Sequence, residues 1–132
     1  MHKRKIETPD APKALGPYSQ GIACRATTVV FVAGQIGIDA ATGSLVGDTI
    51  AAQTEQAIAN LLAIVKAAGG DQASIVKTTV YLQRFSDFAG MNEVYARLFQ
   101  APYPARACVE VAALPKNALV EIEAVAVLEN RK

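Results

Sequence analysis

The run Pro104-Ala105-Arg106-Ala107-Cys108-Val109-Glu110-Val111-Ala112-Ala113-Leu114-Pro115-Lys116-Asn117-Ala118-Leu119-Val120-Glu121-Ile122-Glu123-Ala124-Val125-Ala126-Val127 holds two alternating segments separated by a break. Residues 105–111 and 119–128 alternate with the period of a strand, and Leu114-Pro115-Lys116-Asn117 carries turn chemistry. Strand side chains point alternately to opposite faces. Ala105, Ala107, Val109 and Val111 therefore share one face of the first strand, and Arg106, Cys108 and Glu110 share the other. In the second, Val120, Ile122, Ala124, Ala126 and Leu128 oppose Glu121, Glu123, Val125 and Val127. Each strand is expected to have one dry face and one that mixes charge with apolar side chains. Two readings of the charged faces stand side by side. In one, Arg106, Glu110, Glu121 and Glu123 are cross-strand ion pairs on a solvated sheet. In the other, the Cys and Val residues among them mark a half-covered face where a fixed guanidinium grips a carboxylate through two parallel hydrogen bonds.

Upstream of this run the period changes twice. Ile50, Ala57, Ile58, Leu61, Leu62, Ile64, Val65 and Ala68 form a helical stripe, with Asp48 or Thr49 as N-cap and Gly69 as a left-handed stop. The polar positions Gln53, Glu55, Gln56, Asn60 and Lys66 are read as its solvated side. Residues 75–82 alternate as a strand. A second helix, with Ser86 as N-cap, carries Phe88, Met91, Tyr95, Leu98 and Phe99 and ends before Pro102 and Pro104.

Toward the N-terminus, residues 22–25 and 29–36 flank Ala26-Thr27-Thr28 and read as a hairpin. Gly34 and Gly37 permit a bulge or a close backbone approach, with plain turn chemistry as the simpler account. Residues 3–6 suit a short edge strand ended by Pro9 and Pro12. Tyr18, after Gly16-Pro17, reads structurally as an anchor, and Asn92, beside the second helix's apolar stripe, as a structural hydrogen-bonder.

At 132 residues the chain, 1–132, is expected to be one domain able to bury a core without staples. Thirteen basic against twelve acidic residues give no electrostatic footprint for nucleic acid or an anionic membrane. Lys3-Arg4-Lys5 is followed by Glu7, Pro9 and Asp10 rather than an apolar run, so a cytoplasmic protein with no membrane span is expected. Cys24 and Cys108 are too few for a disulfide scaffold and His2 is the only histidine, which argues against a metal site and a histidine-based triad. The pattern amounts to about six strands and two helices. Two helices cover one face of such a sheet, yet the other is expected to carry Phe31, Cys108, Val125 or their neighbours. Either the sheet curls on itself or another subunit covers that face, and the subunit is the favoured expectation.

Five segments, in order over nearly the whole chain, resemble the RidA family of reactive enamine/imine deaminases: Gly16-Pro17-Tyr18-Ser19-Gln20-Gly21, Ala33-Gly34-Gln35-Ile36, Asp87-Phe88-Ala89-Gly90-Met91-Asn92, Pro104-Ala105-Arg106 and Val120-Glu121-Ile122-Glu123-Ala124. The resemblance implies an α+β, chorismate-mutase-like, YjgF-type protomer with a six-stranded mixed sheet and two helices on one face. It also implies a homotrimer with clefts between neighbours. The implied reaction is hydrolysis of short-lived enamines and imines such as 2-aminoacrylate and 2-iminopropanoate to 2-oxo acids and ammonia. Such a substrate needs a planar cation for its carboxylate and a proton-transferring group near a water. Arg106 fits the first role and Glu121 the second. By the resemblance alone, Cys108 lines the pocket and Tyr18 and Asn92 lie near the substrate. No cofactor is needed, because the uncatalysed hydrolysis is already fast. A rival reading is a module that binds a small 2-oxo acid without turning it over. Another is a translation inhibitor or ribonuclease, which the near-zero charge and the lack of a histidine pair disfavour.

Overall fold

The computed structural model describes residues 3–129. Its strands are β1 (Lys3–Ile6), β2 (Gly21–Cys24), β3 (Thr28–Ile36), β4 (Ile75–Leu82), β5 (Ala105–Glu110) and β6 (Val120–Leu128), with helices α1 (Ile50–Ala67) and α2 (Phe88–Leu98). The fold is α+β, with both helices packed against a mixed sheet. The six strands divide between two sheets. A four-stranded sheet runs β3-β6-β4-β5, and β1 and β2 form a separate two-stranded ribbon. The expected hairpin of residues 22–25 with 29–36 is therefore corrected: β2 pairs antiparallel with β1, and β3 with β6. Two flanking β-rich runs look like a hairpin locally, but the C-terminal strand offers β3 a longer apolar partner.

The helix ends follow sequence chemistry in α1 and depart from it in α2. Thr49 caps α1 by accepting from Ala52 N–H, and Gly69 follows with φ +100°. Ser86, expected to cap α2, instead lies in a 3₁₀ turn spanning Phe85–Asp87, and the cap position falls to Asp87 without a side-chain bond. Two residues read as solvated also prove to be ties. Gln53 is buried; its amide donates to the Gly47 carbonyl and its carbonyl accepts from Leu119 N–H. Asn60 donates to the carbonyls of Ile36 and Ile38. Gly37 has no room for a side chain, since a Cβ there would lie 2.8 Å from the Gln53 backbone.

The core fills the space between helices and sheet. Ile58, Leu61 and Val65 of α1 and Met91 and Tyr95 of α2 meet Val80, Leu82, Val120 and Ile122 of the sheet. In β6 Val120, Ile122, Ala124 and Ala126 of the expected dry set are buried, Leu128 is only partly so, and Val127 of the opposite set is buried as well. In β5 the parity is reversed: Arg106 and Cys108 turn toward α2, while Val109, on the supposedly dry side, is 44% exposed. Cys108, expected on the uncovered face, thus packs against the helix-side core. The cause is strand order. β5 pairs parallel with β4, and Arg106 stands opposite the buried Thr78, so the pair shares the helix-covered face. Phe31 and Val125, opposite each other on β3 and β6, do lie on the uncovered face, where Phe31 is 80% exposed. Among the described residues no helix is long and apolar enough to cross a membrane.

Candidate active site

Arg106 enters from the edge strand β5 and is half-buried beneath the start of α2. Its Nη1 donates to Asn92 Oδ1 at 2.7 Å. Its guanidinium carbon lies 4.8, 5.4 and 5.7 Å from the ring centroids of Tyr95, Tyr18 and Phe88. Ring faces attract the cation without using its N–H donors. The ion pairs among the described residues are Lys5–Glu7, Arg84–Asp87 and Arg97–Glu55, and none uses Arg106. A half-buried guanidinium facing one amide and three rings leaves donors for a planar anion.

The loop before β2 closes one side of this cage. Ser19 N–H donates to the Pro104 carbonyl at 3.1 Å and its hydroxyl to the Tyr103 carbonyl, so Tyr18 is pinned beside the start of β5. Gln20 braces the preceding loop by accepting from Thr8 N–H and donating to the carbonyls of Thr8, Ala11 and Pro12. The Tyr18 hydroxyl accepts from Leu15 N–H. Tyr18 is thus the anchor its Gly-Pro context suggests and a wall of the arginine cage as well. A cavity of about 720 Å³ lies behind it, between residues 5–20 and Ala101-Pro102-Tyr103, and Arg106 is not among its lining residues.

Cys108 is two residues from Arg106 on the same face. Burial pushes its thiol above the ordinary value, more than the Arg106 charge draws it down. A protonated thiol suits a pocket wall and not a nucleophile. Among the described residues no three His, Cys, Asp or Glu side chains group as metal ligands.

Glu121 is not part of this cluster within one chain. It alternates with the buried Val120 and Ile122, so its carboxylate lies on the uncovered face, directly across from Tyr81. Gly34 sits beside it at the β3 bulge, where any Cβ would collide with the carboxylate. Gly34 and Gly37 therefore serve close approach rather than turns. The sequence pattern placed Arg106 and Glu121 on one mixed face; the fold sets them on opposite faces. It brings Arg106, Asn92, Tyr18 and Cys108 together, and adds Phe88 and Tyr95, whose spacing had marked them only as an apolar stripe. The Glu123 and Glu121 carboxylates also crowd the Tyr81 hydroxyl on the uncovered face, and burial together with these charges holds that phenol above its ordinary value.

The family model for endoribonuclease L-PSP matches residues 8–128. The chain is 48% identical over 128 residues to a chloroplastic reactive intermediate deaminase A of Arabidopsis thaliana, covering 97% of this chain and 67% of that protein. It is 46% identical over 125 residues to a human 2-iminobutanoate/2-iminopropanoate deaminase, covering 95% and 90%. Among solved structures, RidA from an Antarctic Psychrobacter superposes with a TM-score of 0.74 at 44% identity, covering 95% of this chain and 99% of that one. Escherichia coli TdcF with bound serine gives 0.73 at 43%, covering 96% and 99%. With the fold, the motifs and these relatives in agreement, the chain belongs to the RidA group of the endoribonuclease L-PSP family.

Proposed function

We propose that this protein hydrolyses reactive imines of the 2-iminopropanoate and 2-iminobutanoate class to 2-oxo acids and ammonia. The observation that carries this reading is the Arg106 cage: a half-buried guanidinium held by one amide oxygen and three ring faces, with no carboxylate of its own among the described residues. A substrate carboxylate completes it with charge-assisted hydrogen bonds. Asn92, its oxygen turned to Arg106, has its amide N–H groups free for the ligand, and Cys108 and Tyr18 wall the pocket. Homologues at 46% and 48% identity carry the corresponding deaminase names.

Water must then add to the C=N carbon. Glu121 is the proton carrier in this reading: with the imine nitrogen protonated, it takes a proton from the water as the C–O bond forms, passes it to the carbinolamine nitrogen, and takes the hydroxyl proton as the C–N bond breaks to leave the C=O and ammonia. Arg106 and Glu121 lie on opposite faces of one sheet, so a three-carbon imino acid cannot reach both within a chain. The productive site therefore combines Arg106 of one protomer with Glu121 of a neighbour. A homotrimer whose uncovered faces, bearing Phe31, Val29 and Val109, pack together supplies that neighbour. The balance of thirteen basic and twelve acidic residues speaks against nucleic acid as substrate, whatever the family model is called.

The test is direct. An amino-acid oxidase generates the imine in the presence of semicarbazide, and capture is followed as this protein is added. Semicarbazone formation falls and 2-oxo acid and ammonia appear faster if the reading holds. Unchanged capture, with 2-oxobutyrate still binding, leaves a ligand-binding module instead.

A further inference from the structure

Behind Arg106 lies a buried pair of hydroxyls. Thr78 on β4 stands directly opposite Arg106 on β5, and its Oγ1 lies 2.7 Å from the hydroxyl of Tyr95 on α2. Both residues are fully buried. The Tyr95 ring also packs on Phe99, with centroids 4.5 Å apart. Tyr95 is thus fixed at its hydroxyl by β4 and along its ring by Phe99, and it is the ring nearest the guanidinium, at 4.8 Å. The other two ring neighbours are less buried: Tyr18 belongs to a loop and Phe88 is the first residue of α2, and both are part-exposed. Asn92, three residues before Tyr95 on the same helix face, fixes Nη1.

We propose that Tyr95, locked by Thr78, is a positioning residue: a buried platform that sets the plane and depth of the Arg106 guanidinium so that its free N–H groups meet the substrate carboxylate squarely. An arginine side chain has many rotamers, and a site that relies on two parallel hydrogen bonds needs one of them. The ring acts through its face as a neutral phenol, since burial pushes Tyr95 up to about 12 against the smaller opposing effects of Thr78 and Arg106. Because it carries no charge, the platform holds the cation without competing for the donors a carboxylate needs. The inference rests on the reading of Arg106 as the carboxylate grip.

The experiment compares Tyr95→Leu, Tyr95→Phe, Thr78→Val and Arg106→Ala, all checked for fold and assembly, by 2-oxobutyrate titration and by imine hydrolysis resolved into kcat and KM. Tyr95→Leu removes the platform and is expected to raise Kd and KM about tenfold while kcat changes less than about threefold. Tyr95→Phe keeps the ring and recovers most of that loss. Thr78→Val frees the ring and raises KM about threefold, and it carries the test if Tyr95→Leu does not fold. A change in melting temperature alone, with KM unaltered in Thr78→Val and in any folded Tyr95→Leu, overturns the platform. If Arg106→Ala itself binds 2-oxobutyrate normally, the grip reading fails and the platform with it. If Arg106→Ala loses binding while Tyr95→Leu retains it, only the platform fails.

Discussion

The two faces of the four-stranded sheet differ in how they hold charge. On the helix-covered face, Arg106 is wrapped by Tyr95, Tyr18, Phe88 and Asn92, so its position is set inside the chain. On the other face, Glu121 lies among Tyr81, Gly34 and Glu123, and Phe31 and Val109 are exposed on that same face. On the proposed reading, one face carries the substrate grip and the other the proton carrier, and that proposal makes assembly part of catalysis.

The largest effects should come from breaking either half. Arg106→Ala removes the grip and is expected to abolish both 2-oxobutyrate binding and imine hydrolysis, a loss of roughly 2–4 kcal/mol or more in binding if the contact is desolvated. Glu121→Gln keeps shape but not basicity. It should lower turnover about 10²-fold while titration calorimetry shows 2-oxobutyrate affinity within a few-fold of the parent. Equal loss of binding in both variants would mean that the two faces do not divide the work as described.

A charge on the bare face probes the second half differently. Phe31→Glu places a carboxylate where assembly would bury a ring, and light scattering should report dissociation to monomers at micromolar concentration, with activity falling in proportion. A variant that stays assembled and active would show that this face is not the interface.

These differences also explain what the sequence could and could not reveal. Period-two alternation marked β4, β5 and β6 correctly and found the buried set Val120, Ile122, Ala124 and Ala126, because parity is local. Which face of β5 meets the helices is not local. It depends on β4 lying between β5 and β6, so Cys108 was expected on the uncovered face. The β2–β3 hairpin failed for the same reason, since the true partners lie at the two ends of the chain. The family resemblance marked Tyr18, Asn92, Arg106 and Glu121 as candidates, and the fold gathers the first three. Tyr95 was not, because an aromatic residue at helical spacing looks the same whether it fills a core or carries a cation.

The smallest effect is expected at Cys108. Its thiol is held protonated by burial, so Cys108→Ala should change hydrolysis by no more than about fivefold. At neutral pH iodoacetamide should alkylate the exposed Cys24 well before Cys108, as peptide mass analysis would show. A Cys108 that reacts first, with activity lost in step, would turn the pocket wall into a nucleophile.

The central claim, that Arg106 of one protomer works with Glu121 of another, is tested most directly by mixing two dead proteins. Arg106→Ala and Glu121→Gln chains, each shown to assemble, are unfolded, combined in equal amounts and refolded, and imine hydrolysis is compared with each parent refolded alone. Random assembly places an intact Arg106 against an intact Glu121 at about one quarter of the sites, so activity should recover to about that share of wild type. Activity that stays at the average of the two parents, in assemblies shown to contain both chains, would contradict the shared site.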